Sequence, residues 1–120
     1  MKKVLWVSSA KDDLEDMPQS VKKEFGYGLY QAQCGDHPDI AKPLKGFGDA
    51  GVLELVKREP NSTFRAVYTV RFEDAIIVLH AFQKKSTKGI KTPQKEKDLI
   101  NARLKKAKEI YDDWRIKDNL

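Results

Sequence analysis

A chain of 120 residues with 23 basic and 18 acidic side chains and one cysteine is long enough to bury a single core without a disulfide or a structural metal. The lone thiol cannot form an intramolecular disulfide and suits a reducing cytoplasm, and no apolar run approaches the length that spans a membrane. The formal charge of +5 is local: residues 83–97 hold 6 basic side chains and 1 acidic one, while residues 1–41 (−2), 42–82 (+1) and 98–120 (+1) sum to zero. Such a field draws polyanions, nucleic acid first among them; the plain alternative is a solvated lysine loop that serves solubility.

In chain order, Met1-Lys2-Lys3 is followed by only four apolar residues, Val4 to Val7, too few for the core of a signal peptide. Lys3 to Val7 reads as a strand and Ser8-Ser9 as a turn. Lys11 to Met17 is a short helix, and Pro18 opens a second helix that runs to Gln33, with Val21, Phe25, Leu29 and Ala32 at helical spacing. Gly26 and Gly28 weaken that helix by about 1 kcal/mol each, and close packing on a sheet is one reason to keep them. Cys34-Gly35-Asp36-His37-Pro38 ends it with turn chemistry.

Three strands follow, Gly51 to Lys57, Thr63 to Phe72 and Ala75 to Gln83, joined by short turns that imply antiparallel neighbours. Thr92 is expected as N-cap and Pro93 as first residue of a helix to about Trp114. Its stripe Ile100, Leu104, Ala107, Tyr111, Trp114 faces a core. The order predicts one α+β domain over residues 1–120: an N-terminal strand and helices packed on a mainly antiparallel sheet of 4–5 strands, closed by a C-terminal helix.

Gly46-Phe47-Gly48-Asp49-Ala50-Gly51 satisfies GxGxxG but leads into a strand, not a helix, so a phosphate would meet no helix N-terminus and the nucleotide reading is rejected. Cys34, Asp36, His37 and Asp39 lack the second Cys/His pair of a tetrahedral site and read as a surface turn; no metal or cofactor is expected. Alternation places Phe64, Ala66, Tyr68, Val70 and Phe72 on one face of the middle strand, and Arg65, Val67, Thr69 and Arg71 on the other. On the last strand it places Ile77, Leu79, Ala81 and Lys85 on one face, with Ile76, Val78, His80, Phe82 and Lys84 opposite. Both faces are apolar, so that strand is central. Arg65 beside it needs either a bound anion or a paired carboxylate, for which Glu54 is available. His80, between Leu79 and Ala81, reads as a packed core residue.

The runs PLKGFGDAGVLEL, FRAVYTVRF, VLHAFQKKSTKGIKTP and INARLKKA, with the opening KKVLWVSS and the helix GYGLYQAQ, resemble the phage-related, HigB-like branch of the RelE/ParE toxin superfamily over nearly the whole chain. The resemblance implies the toxin of a type II toxin-antitoxin system. It would act in the cytoplasm on mRNA at the ribosome and be neutralised by a small helix-turn-helix antitoxin. The chemistry implied is attack of a ribose 2′-hydroxyl on the adjacent phosphate with expulsion of the 5′-oxygen, which needs a proton acceptor, a proton donor and positive charge but no metal.

Carried over residue by residue, Arg65 in FRAVY is the phosphate clamp, and Lys84 and Lys85 stabilise phosphate or move protons. Tyr68 stacks on a base or holds a phosphate oxygen, unless it is a core aromatic. RelE-like nucleases carry lysines on the preceding strand; here it reads Leu53-Glu54-Leu55, leaving Glu54 as candidate base. Lys88, Lys91, Lys57 and Arg58 are candidates for holding the RNA backbone. Two alternatives stay open, a ParE-like gyrase inhibitor without nuclease activity and a non-toxic phage-encoded nucleic-acid-binding protein.

Overall fold

The computed structural model describes residues 1–48, 51–85 and 91–120. Along the chain run β1 (Lys3–Trp6), α1 (Ala10–Glu15), α2 (Gln19–Gln33), β2 (Ala41–Pro43), β3 (Val52–Glu59), β4 (Ser62–Thr69), β5 (Ala75–Lys84) and α3 (Gln94–Asp118). The strands form one sheet in the order β1-β5-β4-β3-β2, antiparallel except where β1 runs parallel to β5. This is the α+β architecture expected, with helices on both faces of the sheet.

The amphipathic helices explain the layering. On one side Val21, Phe25, Leu29 and Ala32 of α2, with Ala10 and Leu14 of α1, pack on Leu55, Phe64, Ala66, Tyr68, Ile76 and Val78. On the other, Ile100, Ala107 and Tyr111 of α3 cover Val52, Val67, Ile77 and Leu79. Each fully buried Phe or Ile contributes about 1.5–3 kcal/mol relative to exposure. Gly28 earns its place in α2, because a Cβ there would meet the Leu55 side chain at 3.1 Å; at Gly26 it would meet nothing within 4 Å. α2 ends at Gly35 (φ +88°), whose N–H donates to the Ala32 carbonyl at 3.0 Å while Asp36 N–H reaches back to Gln31 at 2.9 Å, closing the helix with a left-handed residue.

Four details depart from the expected layout. The edge strand β2 was not anticipated; it is three residues long and ends in proline, too short to show alternation. β4 stops at Thr69 rather than continuing to Phe72, so Phe72 leaves the Tyr68 face and packs on Tyr111 of α3 at 4.7 Å. α3 starts at Gln94 and reaches Asp118, with Pro93 in the cap position, and the Thr92 hydroxyl is not a cap but bonds to Glu54.

The fourth departure matters most. Val67 pairs with His80 but Tyr68 pairs with Val78, so Leu79 is an extra residue in β5. One inserted residue reverses the alternation beyond it. Ala75, Ile77 and Leu79 face α3 before the bulge, and His80, Phe82 and Lys84 face the same side after it. Ala81 instead joins Ile76 and Val78 on the α2 side. The uniform alternation expected for β5 is therefore corrected from His80 onward.

Candidate functional site

Arg65 stands in the middle of β4 on the face covered by α3, opposite Val56 of β3 and Phe82 of β5. It is 1% exposed, and its Nη1 donates to Glu54 Oε1 at 2.7 Å. Glu54, itself buried, accepts from the Thr92 hydroxyl through its other oxygen at 2.8 Å. Lys42, directly across from Glu54 on β2, brings its Nζ to 3.8 Å from Oε1. A charge in this layer is tolerable only when paired and hydrogen-bonded, and both carboxylate oxygens are engaged. The pair joins β3 to β4, and Thr92 ties both to the segment that enters α3.

Beyond the buried pair, the same face becomes cationic. Thr63, at the start of β4, is flanked by Arg58 on β3 and Lys84 on β5. Lys84 Nζ donates to the Lys91 carbonyl at 3.2 Å, bringing the two lysines together at the β5 end. Arg58, Lys85 and Lys91 are exposed. Lys88 lies outside the described residues.

Two candidates sit elsewhere. Tyr68 is buried against the α2 layer, opposite Leu53, on the face away from Arg65, and burial pushes its phenol up to about 12. Lys57 also faces α2, where its Nζ pairs with Glu24 Oε2 at 3.1 Å. The structure thus brings Arg65 and Glu54 together under Thr92, gathers Lys84, Lys91 and Arg58 at the sheet end, and leaves Tyr68 and Lys57 on the other side. A hollow of about 630 Å³ opens at the opposite end of the sheet, beside Lys2, Lys3, Asp74, Trp114 and Arg115; it contains none of the candidates derived from sequence.

His80 has polar partners on both ring nitrogens. Nε2 lies 2.5 Å from Glu96 Oε2, and Nδ1 lies 3.2 Å from Arg103 Nη1. Arginine can only donate, so Nδ1 accepts and Nε2 carries the hydrogen toward Glu96. Arg103 also donates to the Leu79 carbonyl at 3.0 Å, at the bulge, and to Ser9 Oγ at 3.2 Å. One guanidinium therefore ties α3 to β5 and to the start of α1. Sequence reasoning misses Glu96 and Arg103 altogether and reads Thr92 as a helix cap rather than as a partner of Glu54. Glu96 and Arg103 stand four before and three after Ile100, inside the buried stripe, and two charges in an apolar stripe are the signal that could have found them. The His80 side chain is buried, as expected, though its contacts are polar as well as apolar.

Among the described residues no helix is long and apolar enough to cross a membrane. Residues 12–105 match the family model described as phage derived protein Gp49-like (DUF891), a span from α1 into α3 that takes in every strand except β1. No curated protein matches the chain.

Proposed function

From the fact that this chain belongs to the Gp49-like family of phage-derived proteins, a RelE/toxin-like family associated with toxin-antitoxin systems, we propose that it is a HigB-like type II toxin that cleaves mRNA on the ribosome. The observation that supports this reading best is the cationic end of the sheet, where Lys84 and Arg58 flank Thr63 and Lys84 is fastened to Lys91. Phosphate oxygens of a single strand are drawn to such a field, and Lys85, exposed next to Lys84, adds to it. A pentacoordinate phosphorus formed by 2′-hydroxyl attack carries extra negative charge, and ammonium groups on rigid strand ends stabilise it without reorganising. The small partner that silences such a toxin is proposed to be a helix-turn-helix antitoxin.

Arg65 supports the end from below. In the folded arrangement it holds Glu54, Glu54 holds Thr92, and Thr92 sets the course of the segment carrying Lys91. Arg65 is 1% exposed, so direct contact with a scissile phosphate requires the layer over it to open first. That burial is the specific observation favouring the second reading, a ParE-like gyrase inhibitor with no cleavage chemistry.

Mapping of new RNA 5′ ends in cells making the protein separates the two. Ends within translated frames support the nuclease, and Lys84→Ala with Lys85→Ala should lower cleavage by roughly 10²–10³-fold. Growth arrest with intact messages and a DNA-damage response selects the gyrase reading instead.

A further inference from the structure

The proposed chemistry leaves a buried imidazole without a task. His80 is 6% exposed in the layer under α3, where its ring stacks on Phe82 at 4.8 Å. Its nitrogens face opposite charges carried by the same helix, Glu96 at Nε2 and Arg103 at Nδ1. Both contacts hold together only while the ring is neutral, because a guanidinium has no acceptor and Nδ1 must offer its lone pair. A second proton on the ring goes to Nδ1 and sets donor against donor, and positive charge against positive charge. Imidazoles as a class take up that proton between about pH 5 and 8.

The displaced guanidinium has a second seat close by. Arg103 Nη1 is shared between Nδ1 and the Leu79 carbonyl, which it reaches at 3.0 Å, while Nη2 donates to Ser9 Oγ at 3.2 Å. That hydroxyl donates in turn to Asp13 Oδ2 at 2.8 Å, so a carboxylate stands one hydroxyl away. Turning off the ring exchanges a neutral acceptor for an anionic one, and hydrogen bonds between charged groups are roughly twice as strong as neutral ones. Glu96 keeps its bond in both states, since Nε2 carries a hydrogen in the neutral and the charged ring alike.

The other elements around the ring bring no rival partner. Val67 stands across from His80 on β4, and Arg65, two residues away on that strand, is bound to Glu54 of β3. Along β5 the next charge on this face is Lys84, which donates to the Lys91 carbonyl. β1 ends at Trp6 across from Val78, and the residues there, Leu5 to Val7, are apolar.

We infer that His80 and Arg103 form a proton-operated switch: protonation of the ring moves the guanidinium from His80 and Leu79 to Asp13, and α3 then releases the bulge in β5. The effect reaches the cationic end, because the bulge sets which face Lys84 takes. The switch is read from these contacts alone and does not depend on what that end binds.

Nitrogen-15 and carbon-13 NMR of the full chain from about pH 8 to about pH 5 follows the His80 ring and the Arg103 side chain together. One common midpoint is expected. Exchange of the Leu79 and His80 amides, corrected for the intrinsic rate, should rise about 10- to 100-fold across it as the bond to the Leu79 carbonyl is lost. Asp13→Asn weakens the second seat without touching the ring, so protonation of His80 should need more acid. His80→Gln cannot take up the proton, and its Arg103 signals should show no step. A ring that protonates while the Arg103 signals stay still overturns the switch. So does a ring that remains neutral down to about pH 5, or an Asp13→Asn midpoint equal to that of wild type. Where His80→Gln fails to fold, Asp13→Asn decides alone.

Discussion

Removing one member of the Arg65–Glu54 pair should be far more damaging than removing both. Arg65 Nη1 and Glu54 Oε1 are 2.7 Å apart with 1% and 3% of each residue exposed, and breaking such a pair from one side, with the remaining charge still buried, costs about 3–5 kcal/mol. For a domain of this size each kcal/mol shifts the melting midpoint by about 3–5 °C, so Glu54→Leu or Arg65→Met alone should lower it by about 10–20 °C. The double variant Glu54→Leu/Arg65→Met replaces the pair with apolar groups of similar volume and should return most of that loss. Thr92→Val removes one hydrogen bond to a charged acceptor and should cost about 1.5–3 kcal/mol. Thermal and urea denaturation followed by tryptophan fluorescence measure all four variants. If either single variant lost less than about 1 kcal/mol, water would be screening the pair and the sealed geometry would be refuted. The folded double variant then serves a second purpose: if it still cleaves message, Arg65 is not a phosphate clamp.

The pH dependence should carry a signature of Tyr68. Its folded pKa, about 12, lies above the ordinary 10, so between those values the unfolded chain has lost a proton that the folded one retains. Stability from this group is complete below pH 10 and falls through the window at up to about 1.4 kcal/mol per pH unit; the difference in urea stability between wild type and Tyr68→Phe should show that fall. Gly26→Ala, in open space, should stabilise α2 by up to about 1 kcal/mol. Gly28→Ala should gain less or lose, since its Cβ approaches Leu55 at 3.1 Å; equal effects at the two positions would contradict the packing argument. Nitrogen-15 NMR of the imidazole should find His80 with its hydrogen on Nε2, and a hydrogen on Nδ1 would exclude the Arg103 contact.

Periodicity made much of this fold legible. The stripes of α2 and α3 and the alternation in β4 each encode which face is covered, because burial selects residue type locally. β2 was illegible because three residues carry no period. The Arg65–Glu54 pairing could be anticipated because two opposite charges on neighbouring strands inside an apolar layer have few other ways to be satisfied. Its closure by Thr92 could not: the same Thr-Pro dipeptide satisfies the pattern for a helix cap, and only the tertiary position of β3 gives the hydroxyl a better acceptor. Tyr68 shows the converse limit. An aromatic near a basic run reads as stacking or as core from sequence, and the face of β4 decides between them.

The bulge at Leu79 links the fold to the proposed chemistry. Without the extra residue, strict alternation would turn Lys84 toward the α1–α2 side, where a hollow beside Phe64 and Gln83 is lined by Asp13 and Asp16, a setting that repels phosphate. With it, Lys84 pairs across from Thr63 and reaches Lys91, and the ring of His80 meets Glu96 and Arg103. Arg103 bonds the carbonyl of Leu79 itself, so α3 holds the bulge in place while the bulge aims the lysine. Arg103→Met should therefore affect more than stability: loosening the bulge frees Lys84 to lose its fixed direction, so RNA affinity should fall even where the variant remains folded. Measured below its melting midpoint, Arg103→Met with wild-type RNA affinity and salt slope would show that the bulge holds without its clamp, and the coupling between α3 and the cationic end would have to be abandoned.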